Sequence, residues 1–371
     1  MIMNLNLVEF NQEIKDYLDK HLYEDISFWV DYRQLDNFKP LGFKVVNKSG
    51  KSFEIKRKGL NPYAFSDNNK RYQTLEYYYQ HTFNTRIAKV AINAGFTCPN
   101  IDGAKSFNGC SFCSIKGSGD FAGDPIESLK QQWDSGYQRG ITKWPTAKFI
   151  AYFQAFSNTY APLEVLKEKY DFFINMEDCF GISIATRADC LEEETVAYLA
   201  ELNKIKPIWV EVGLQTMHDR TSEIINRAHT LEEFEDGINL LKKYNINTIV
   251  HIINGLPGET YDMMLDTAKY VANLNVHGIK IHLLHVTSDT RLANQLNNGF
   301  LKLMDEDEYV KLVCEQLTYL PPKMVIHRLT GDAPLHLFIG PVWSKKKVNV
   351  LNKIDMYLQE HNMYQGMNYE D

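Results

Sequence analysis

The 371-residue sequence has no apolar run long enough to cross a bilayer. Charge-free stretches such as Phe149–Leu163 are short and carry Gln, Ser, Asn and Pro, so no membrane partner is expected. The N-terminus lacks the basic and then apolar order of a secretory leader, and Glu9, Asp16 and Asp19 interrupt it. Cysteine is scarce. Six residues in so long a chain make no disulfide framework, which leaves thiols or metal ligands and a cytoplasmic setting. Positive charge is in deficit, 40 Lys and Arg against 47 Asp and Glu, a net of −7. That excludes a polybasic coat for nucleic acid but not a local basic patch. Gly117-Ser118-Gly119 lacks the Walker lysine, no G-x-G-x-x-G follows a strand, and no Ser–His–Asp set stands out. Internal repeats and low-complexity tracts are absent as well.

What is present is a core-forming composition, 44% hydrophobic and 23% charged, which rules out wholesale disorder. Charge is unevenly spread. Residues 1–40 hold eight acids against four bases, whereas residues 41–72 hold eight bases against Glu54 and Asp67. Within the basic part, Phe43–Ile55 reads as two short strands around a Ser-Gly turn, and Gly59–Asn69 reads as a linker. The division expected is an N-terminal accessory α+β element (1–60), a main domain (61–320) and a C-terminal extension (321–371). Its first part, residues 321–353, is again basic, with Lys323, Arg328, Lys345, Lys346, Lys347 and Lys353 against Asp332.

From Ile87 onward, β-rich runs alternate with amphipathic segments. The runs are Ile87–Ile92, Lys148–Phe153, Gly181–Thr186, Ile208–Gly213, Thr248–Ile253 and Ile279–His285. Between them, Ile126, Leu129, Trp133 and Tyr137 keep helical spacing, and Thr230 with Glu233 forms a capping-box signature. Six strands alternating with helices predict an α/β fold with a parallel sheet, open or closed into a partial barrel. Functional residues are then expected just past the C-terminal strand ends.

Cys98, Cys110 and Cys113 form a C-x11-C-x2-C set in a loop directly after the first run. Structural zinc takes four protein ligands, and the loop holds no fourth Cys or His. Three thiolates suit a 4Fe–4S cluster with one iron left open, although soft ligands alone do not separate iron–sulfur from zinc. Cys179, Cys190 and Cys314 lie beside apolar residues and read as core.

The cysteine loop resembles that of the radical S-adenosylmethionine (SAM) superfamily, in particular its YhcC/YtqA-type branch, related to the radical domain of the Elongator catalytic subunit. The resemblance is carried by Ala94-Gly-Phe-Thr-Cys-Pro-Asn100, Gly117-Ser-Gly-Asp-Phe-Ala-Gly123, Ala185-Thr-Arg-Ala-Asp-Cys190, Glu211-Val-Gly-Leu-Gln215, His251-Ile-Ile-Asn-Gly-Leu-Pro-Gly-Glu259 and His327-Arg-Leu-Thr-Gly-Asp332. It runs over roughly residues 61–355, and the C-x11-C spacing is wider than the superfamily's commonest form. It implies a partial (β/α)6 barrel, a 4Fe–4S cluster on the three cysteines, and SAM cleaved reductively to a hydrogen-abstracting radical. A reductant such as flavodoxin or ferredoxin follows from that chemistry.

The resemblance also points to cofactor contacts. Where the superfamily often has Gly-Gly-Glu for the methionyl amine, this chain has Gln154-Ala-Phe, leaving Gln154, Ser157 or Asn158 to supply hydrogen bonds. Thr186 and Arg187 close the third strand, where Arg187 would grip a carboxylate or else form a salt bridge between loops. Glu211 and Gln215 are polar in an apolar run, so a ribose or carboxylate contact is expected. Gly255 and Pro257 sit in a tight turn that lets backbone approach adenine, and Phe112 would pack on the adenine or fill the loop. Arg227, His229, His251, His282 and His285 have no assigned role. For Gram-positive members of the branch the resemblance implies work on the wobble uridine of tRNA, turning its 5-carboxymethylaminomethyl group into 5-aminomethyl. The two basic segments would meet RNA phosphates, and Tyr77, Tyr78 and Tyr79 would stack on an extruded base or else lie in the core. A peptide or small-metabolite substrate, or a non-enzymatic scaffold fastened by metal, are the other readings.

Overall fold

Apolar residues at every second position of a parallel strand turn one face to packed helices and the other to the inside of a curled sheet. The computed structural model describes residues 7–21, 25–57, 63, 65 and 68–370, in two compact units, 1–70 and 71–371. The main sheet of the larger unit has seven strands: β1 (Ile87–Ile92), β2 (Lys148–Phe153), β3 (Cys179–Thr186), β4 (Ile208–Gln215), β5 (Asn247–Asn254), β6 (Gly278–Leu283) and β7 (Val325–Arg328). Neighbours in the sheet are neighbours in sequence, and every pair is parallel. The sheet curls into a half-barrel. All six expected strands are present. The seventh, β7, comes from the segment expected to be an extension; at four residues it is too short to show a period.

Helices cover the outer face: α1 (Leu129–Lys143), α2 (Leu163–Ile174), α3 (Glu193–Asn203), α4 (Leu231–Lys243), α5 (Tyr261–Asn273), α6 (Glu306–Tyr319) and α7 (Lys347–Glu360). Each buries an apolar stripe, such as Leu166, Tyr170 and Phe173 of α2 or Phe234, Ile238 and Leu241 of α4. These pack on the outward strand residues Ile182, Ile184, Val210, Val212, Val250 and Ile252 in one continuous core. The Thr230–Glu233 capping box opens α4 as expected. The helix expected from Ile126 starts instead at Leu129, because Ser128 and Gln131 form their own capping box there, and Ile126 is left 92% exposed.

The smaller unit has the expected hairpin, strands Lys44–Ser49 and Ser52–Arg57 turning at Gly50, whose φ of +62° suits glycine. Strand Ile26–Asp31 completes an antiparallel sheet with its own core of Leu18, Val30, Phe38, Phe43 and Ile55. Most of the expected linker at 59–69 lies outside the described residues. Among the described residues no helix is long and apolar enough to cross a membrane.

Candidate functional site

The period of two stacks the inward side chains of the half-barrel in layers. The lowest is an apolar plug of Ile87, Ile150, Trp209 and Ile249, sealed by Tyr79 from the helix Leu75–Phe83. Tyr79 meets Trp209 edge-on at 6.0 Å, Tyr78 meets His277 at 4.7 Å, and Tyr77 stacks on His81 of its own helix. The tyrosine trio therefore lies at the N-terminal end of the barrel, opposite the cysteine loop, and does not serve as a stacking platform there. Apolar burial beneath the sheet outweighed its aromatic promise.

The next layer is charged. Glu211 of β4 is wholly buried and accepts hydrogen bonds from Lys89 of β1, Lys280 of β6, Ser183 Oγ (2.7 Å) and His251 Nε2 (2.9 Å). Tyr152 covers the lysines, with Lys89 Nζ 4.3 Å and Lys280 Nζ 4.9 Å from its ring centre. Burial raises the cost of ionising Glu211, but the two lysines and His251 outweigh it and hold the carboxyl well below its ordinary range. Burial pushes Lys280 down to about 7 and His251 to about 4.

At the C-terminal strand ends the cysteine loop closes one wall of a cavity of about 880 Å³. Each thiol has one polar neighbour: Ser157 Oγ donates to Cys98 Sγ (3.6 Å), Asn100 Nδ2 to Cys110 Sγ (3.4 Å), and Ser118 Oγ lies 3.5 Å from Cys113 Sγ. Burial raises the Cys110 and Cys113 thiols, Cys113 to about 12, while Arg187 pulls Cys110 back. A metal bound by them would have to displace their protons. Among the described residues no three His, Cys, Asp or Glu side chains close up around a single ion. Cys98, Cys110 and Cys113 all line one cavity, and three thiolates are the ligand number a four-iron cube with one open iron takes. Hydrogen bonds to its sulfurs are a means by which a protein tunes such a cluster.

The loop is held open by its docking. Phe156 N donates to Gly117 O (2.9 Å), and a Cβ at Gly119 would come within 2.5 Å of Ala155 Cβ. Ala155 and Phe156 keep φ of +89° and +59°. Gln215 at the end of β4 is also left-handed at +68°. Non-glycine residues in that region cost about 1–3 kcal/mol each and cluster at functional sites.

Of the residues expected at the site, the three cysteines, Phe112, Gln154, Ser157, Thr186, Arg187, Glu211 and Gln215 line the cavity. Asn158, Gly255 and Pro257 do not appear in its wall. Asn158 Nδ2 ties Ala185 O (2.7 Å), and Gly255, at φ +91°, donates its N–H to Met264 Sδ. Arg187 forms the loop salt bridge, bidentate to Asp189 at 2.9 and 2.8 Å, and also donates to Arg227 O. Buried Arg227 clamps the carbonyls of Leu214, Thr216 and His229, so it is a structural strut. Thr186 shares a 2.6 Å hydrogen bond with Thr159. Phe112 packs with Leu256, Leu284 and Leu292. His285 pairs with Ser344 Oγ at 3.1 Å. Lys89, Tyr152, Ser183 and Lys280 went unread in the sequence. Their signal was a charged residue at the centre of an alternating strand, Ile87-Ala-Lys89-Val90 and Gly278-Ile-Lys280-Ile281.

Comparison with known proteins bears on this geometry. The radical SAM superfamily model matches residues 106–271, and the radical SAM C-terminal domain matches residues 276–360. The YtqA protein of Bacillus subtilis is 50% identical over 306 residues, 82% of this chain and 95% of that protein. A tRNA uridine(34) acetyltransferase of Methanocaldococcus jannaschii is 24% identical over 186 residues, 49% of this chain and 33% of that protein. The solved structure of archaeal Methanocaldococcus infernus Elp3, with residues 1–46 deleted, shares the fold at TM-score 0.58 and 17% identity, over 76% of this chain and 64% of that one. Half-identity to YtqA along nearly all of that protein, with three thiols at the mouth of a parallel half-barrel, makes this chain a radical SAM enzyme, a member of a superfamily that uses a 4Fe–4S cluster and S-adenosylmethionine.

Proposed function

We propose that this enzyme acts on the wobble uridine of tRNA, converting 5-carboxymethylaminomethyl-uridine, with or without 2-thiolation, into the 5-aminomethyl form. The observation that carries the reading is the cationic rim of the cavity: Arg328, Lys345 and Lys347 line it, with Asp332 shared between Arg328 (3.1 Å) and Lys347 (2.9 Å). On a chain of net charge −7, basic groups gathered at the mouth suit phosphate contact without general stickiness. The exposed basic hairpin of the N-terminal accessory element would add a second phosphate surface. The similarity to a tRNA uridine(34) acetyltransferase supports the same substrate class.

Cys98, Cys110 and Cys113 would hold the cluster, with Ser157 and Asn100 orienting two of the sulfurs. When bound, cluster and SAM would supply hydrogen abstraction from the methylene between amine and carboxylate; return of one electron to the oxidised cluster would leave an imine, and water would release the two-carbon fragment as glyoxylate and leave the 5-aminomethyl group. Gln154, Ser157, Thr186 and Gln215 would bind the cofactor, and Phe112 would pack on its adenine. A flavodoxin- or ferredoxin-type protein would deliver the electron. The test compares nucleosides of tRNA from a deletion strain and its parent. Accumulated carboxymethylaminomethyl-uridine and lost aminomethyl derivatives are expected. An unchanged profile removes the tRNA reading and leaves a peptide or small metabolite as substrate.

A further inference from the structure

The charged layer inside the half-barrel is larger than its own structural needs. Two lysines converge on one carboxylate, so the lumen carries more basic side chains than acidic ones. Glu211 is saturated, with hydrogen bonds from Lys89, Lys280, Ser183 and His251. The lysines are not. Lys280 has Tyr152 OH at 3.4 Å besides Glu211, and Lys89 has Ser183 Oγ at 3.3 Å, while each ammonium carries three donors. Around them His282 Nε2 and both ring nitrogens of His327 are buried without a partner. Buried polar atoms are nearly always satisfied, so orphans in a cavity wall mark a place where something binds.

Depth separates this group from the cysteine loop. Lys89 stands three residues before the end of β1 and Lys280 three before the end of β6, about 10 Å below the strand ends at a rise of ~3.3 Å per residue. The plug of Ile87, Ile150 and Trp209 closes the lumen beneath, so a ligand enters from the mouth and ends at the lysines. We propose that Lys89 and Lys280 bind a carboxylate at the reacting end of the substrate. The inference rests on the tRNA reading above, in which the carboxymethylamino group is that end. A carboxylate held by the lysines leaves its neighbouring methylene in the cavity above the charged layer, and His282 and His327 flank it.

The experiment uses the full-length, anaerobically reconstituted holoenzyme and two synthetic anticodon arms, one with carboxymethylaminomethyl-uridine and one with aminomethyl-uridine, at fixed salt. A charge-assisted contact to the carboxylate predicts tighter binding of the first arm by about tenfold to a hundredfold. Lys280→Met should lose most of that preference while holding the second arm with near wild-type affinity, and Lys280→Arg should restore part of it. Lys89→Met provides a second removal if Lys280→Met fails to fold. A preference undiminished in the folded lysine variants overturns the proposal. A small probe separates this from the tRNA reading. N-methylglycine should raise the holoenzyme melting temperature more than N-methylglycinamide in wild type and not in Lys280→Met. If neither RNA arm binds but this contrast holds, the tRNA reading fails and the carboxylate grip stands. If the arms bind without preference and the contrast is missing, the grip fails and the tRNA reading stands.

Discussion

Replacing Cys110 with alanine is expected to abolish reductive cleavage of SAM while leaving the fold intact. Cys110 sits in a loop, half-buried, with Asn100 as its polar neighbour, and no strand or helix of the barrel depends on it. On the proposed ligand set its removal would leave Cys98 and Cys113, two ligands for a cluster that needs three. The stability cost should stay near 1 kcal/mol, the ordinary effect of a substitution outside a packed core. Iron content after anaerobic reconstitution should fall sharply, and deoxyadenosine release should drop below detection, with unchanged far-ultraviolet dichroism. Cys314→Ala is the matched control. Its thiol is buried against Ile354 O, burial pushes it far above the ordinary thiol range, and it lies outside the cavity. It should keep iron and activity. Equal loss of iron in both variants would contradict the assignment of the trio.

Glu211→Gln carries the largest expected stability effect. The carboxylate is the shared counter-charge of Lys89 and Lys280, and breaking a buried pair leaves uncompensated charge at a cost of about 3–5 kcal/mol. Adding Lys280→Met should recover part of that loss, because the two changes act on one contact. The pH dependence has a definite sign. The folded carboxyl is held below its unfolded value of about 4.3, so its contribution is complete above that pH and is lost as pH falls toward the folded value. Lys280 is pushed down to about 7 from an unfolded value of about 10.4. Between those limits the unfolded chain binds more protons, so stability rises with pH. Glu211→Gln should blunt the acid loss, and Lys280→Met should flatten the alkaline rise. Urea midpoints across pH measure both. A Glu211→Gln midpoint equal to wild type at neutral pH would show that the lysines find other partners.

The strands were legible because their outward residues are mostly apolar. Val90, Ile92, Ile182, Ile184, Val210 and Val212 write the period into the chain. The cysteine trio was legible from spacing and from its position after the first strand. The charged lumen was not. In a parallel sheet both faces are covered, so a lysine between apolar residues does not announce whether it points to solvent, helix or lumen. Only closure of the sheet brings Lys89, Glu211 and Lys280 together from β1, β4 and β6, 191 positions apart at the extremes. Arg187 shows the converse. A guanidinium at a strand end reads equally as ligand grip or strut, and Asp189, two residues on, claims both its forks. The tyrosine trio was open for a similar reason, since aromatic content marks a core as readily as a stacking surface, and the core reading holds for Tyr78 and Tyr79.

On the proposed reading, sulfur from three loop cysteines holds an iron–sulfur cube at the mouth of this barrel. The direct measurement is iron and sulfide per chain after anaerobic reconstitution of the wild-type protein, followed by addition of SAM and dithionite. Near-stoichiometric cube content, a brown chromophore and steady appearance of 5′-deoxyadenosine are predicted. A colourless protein that binds zinc, and yields no deoxyadenosine under reducing conditions, would contradict it.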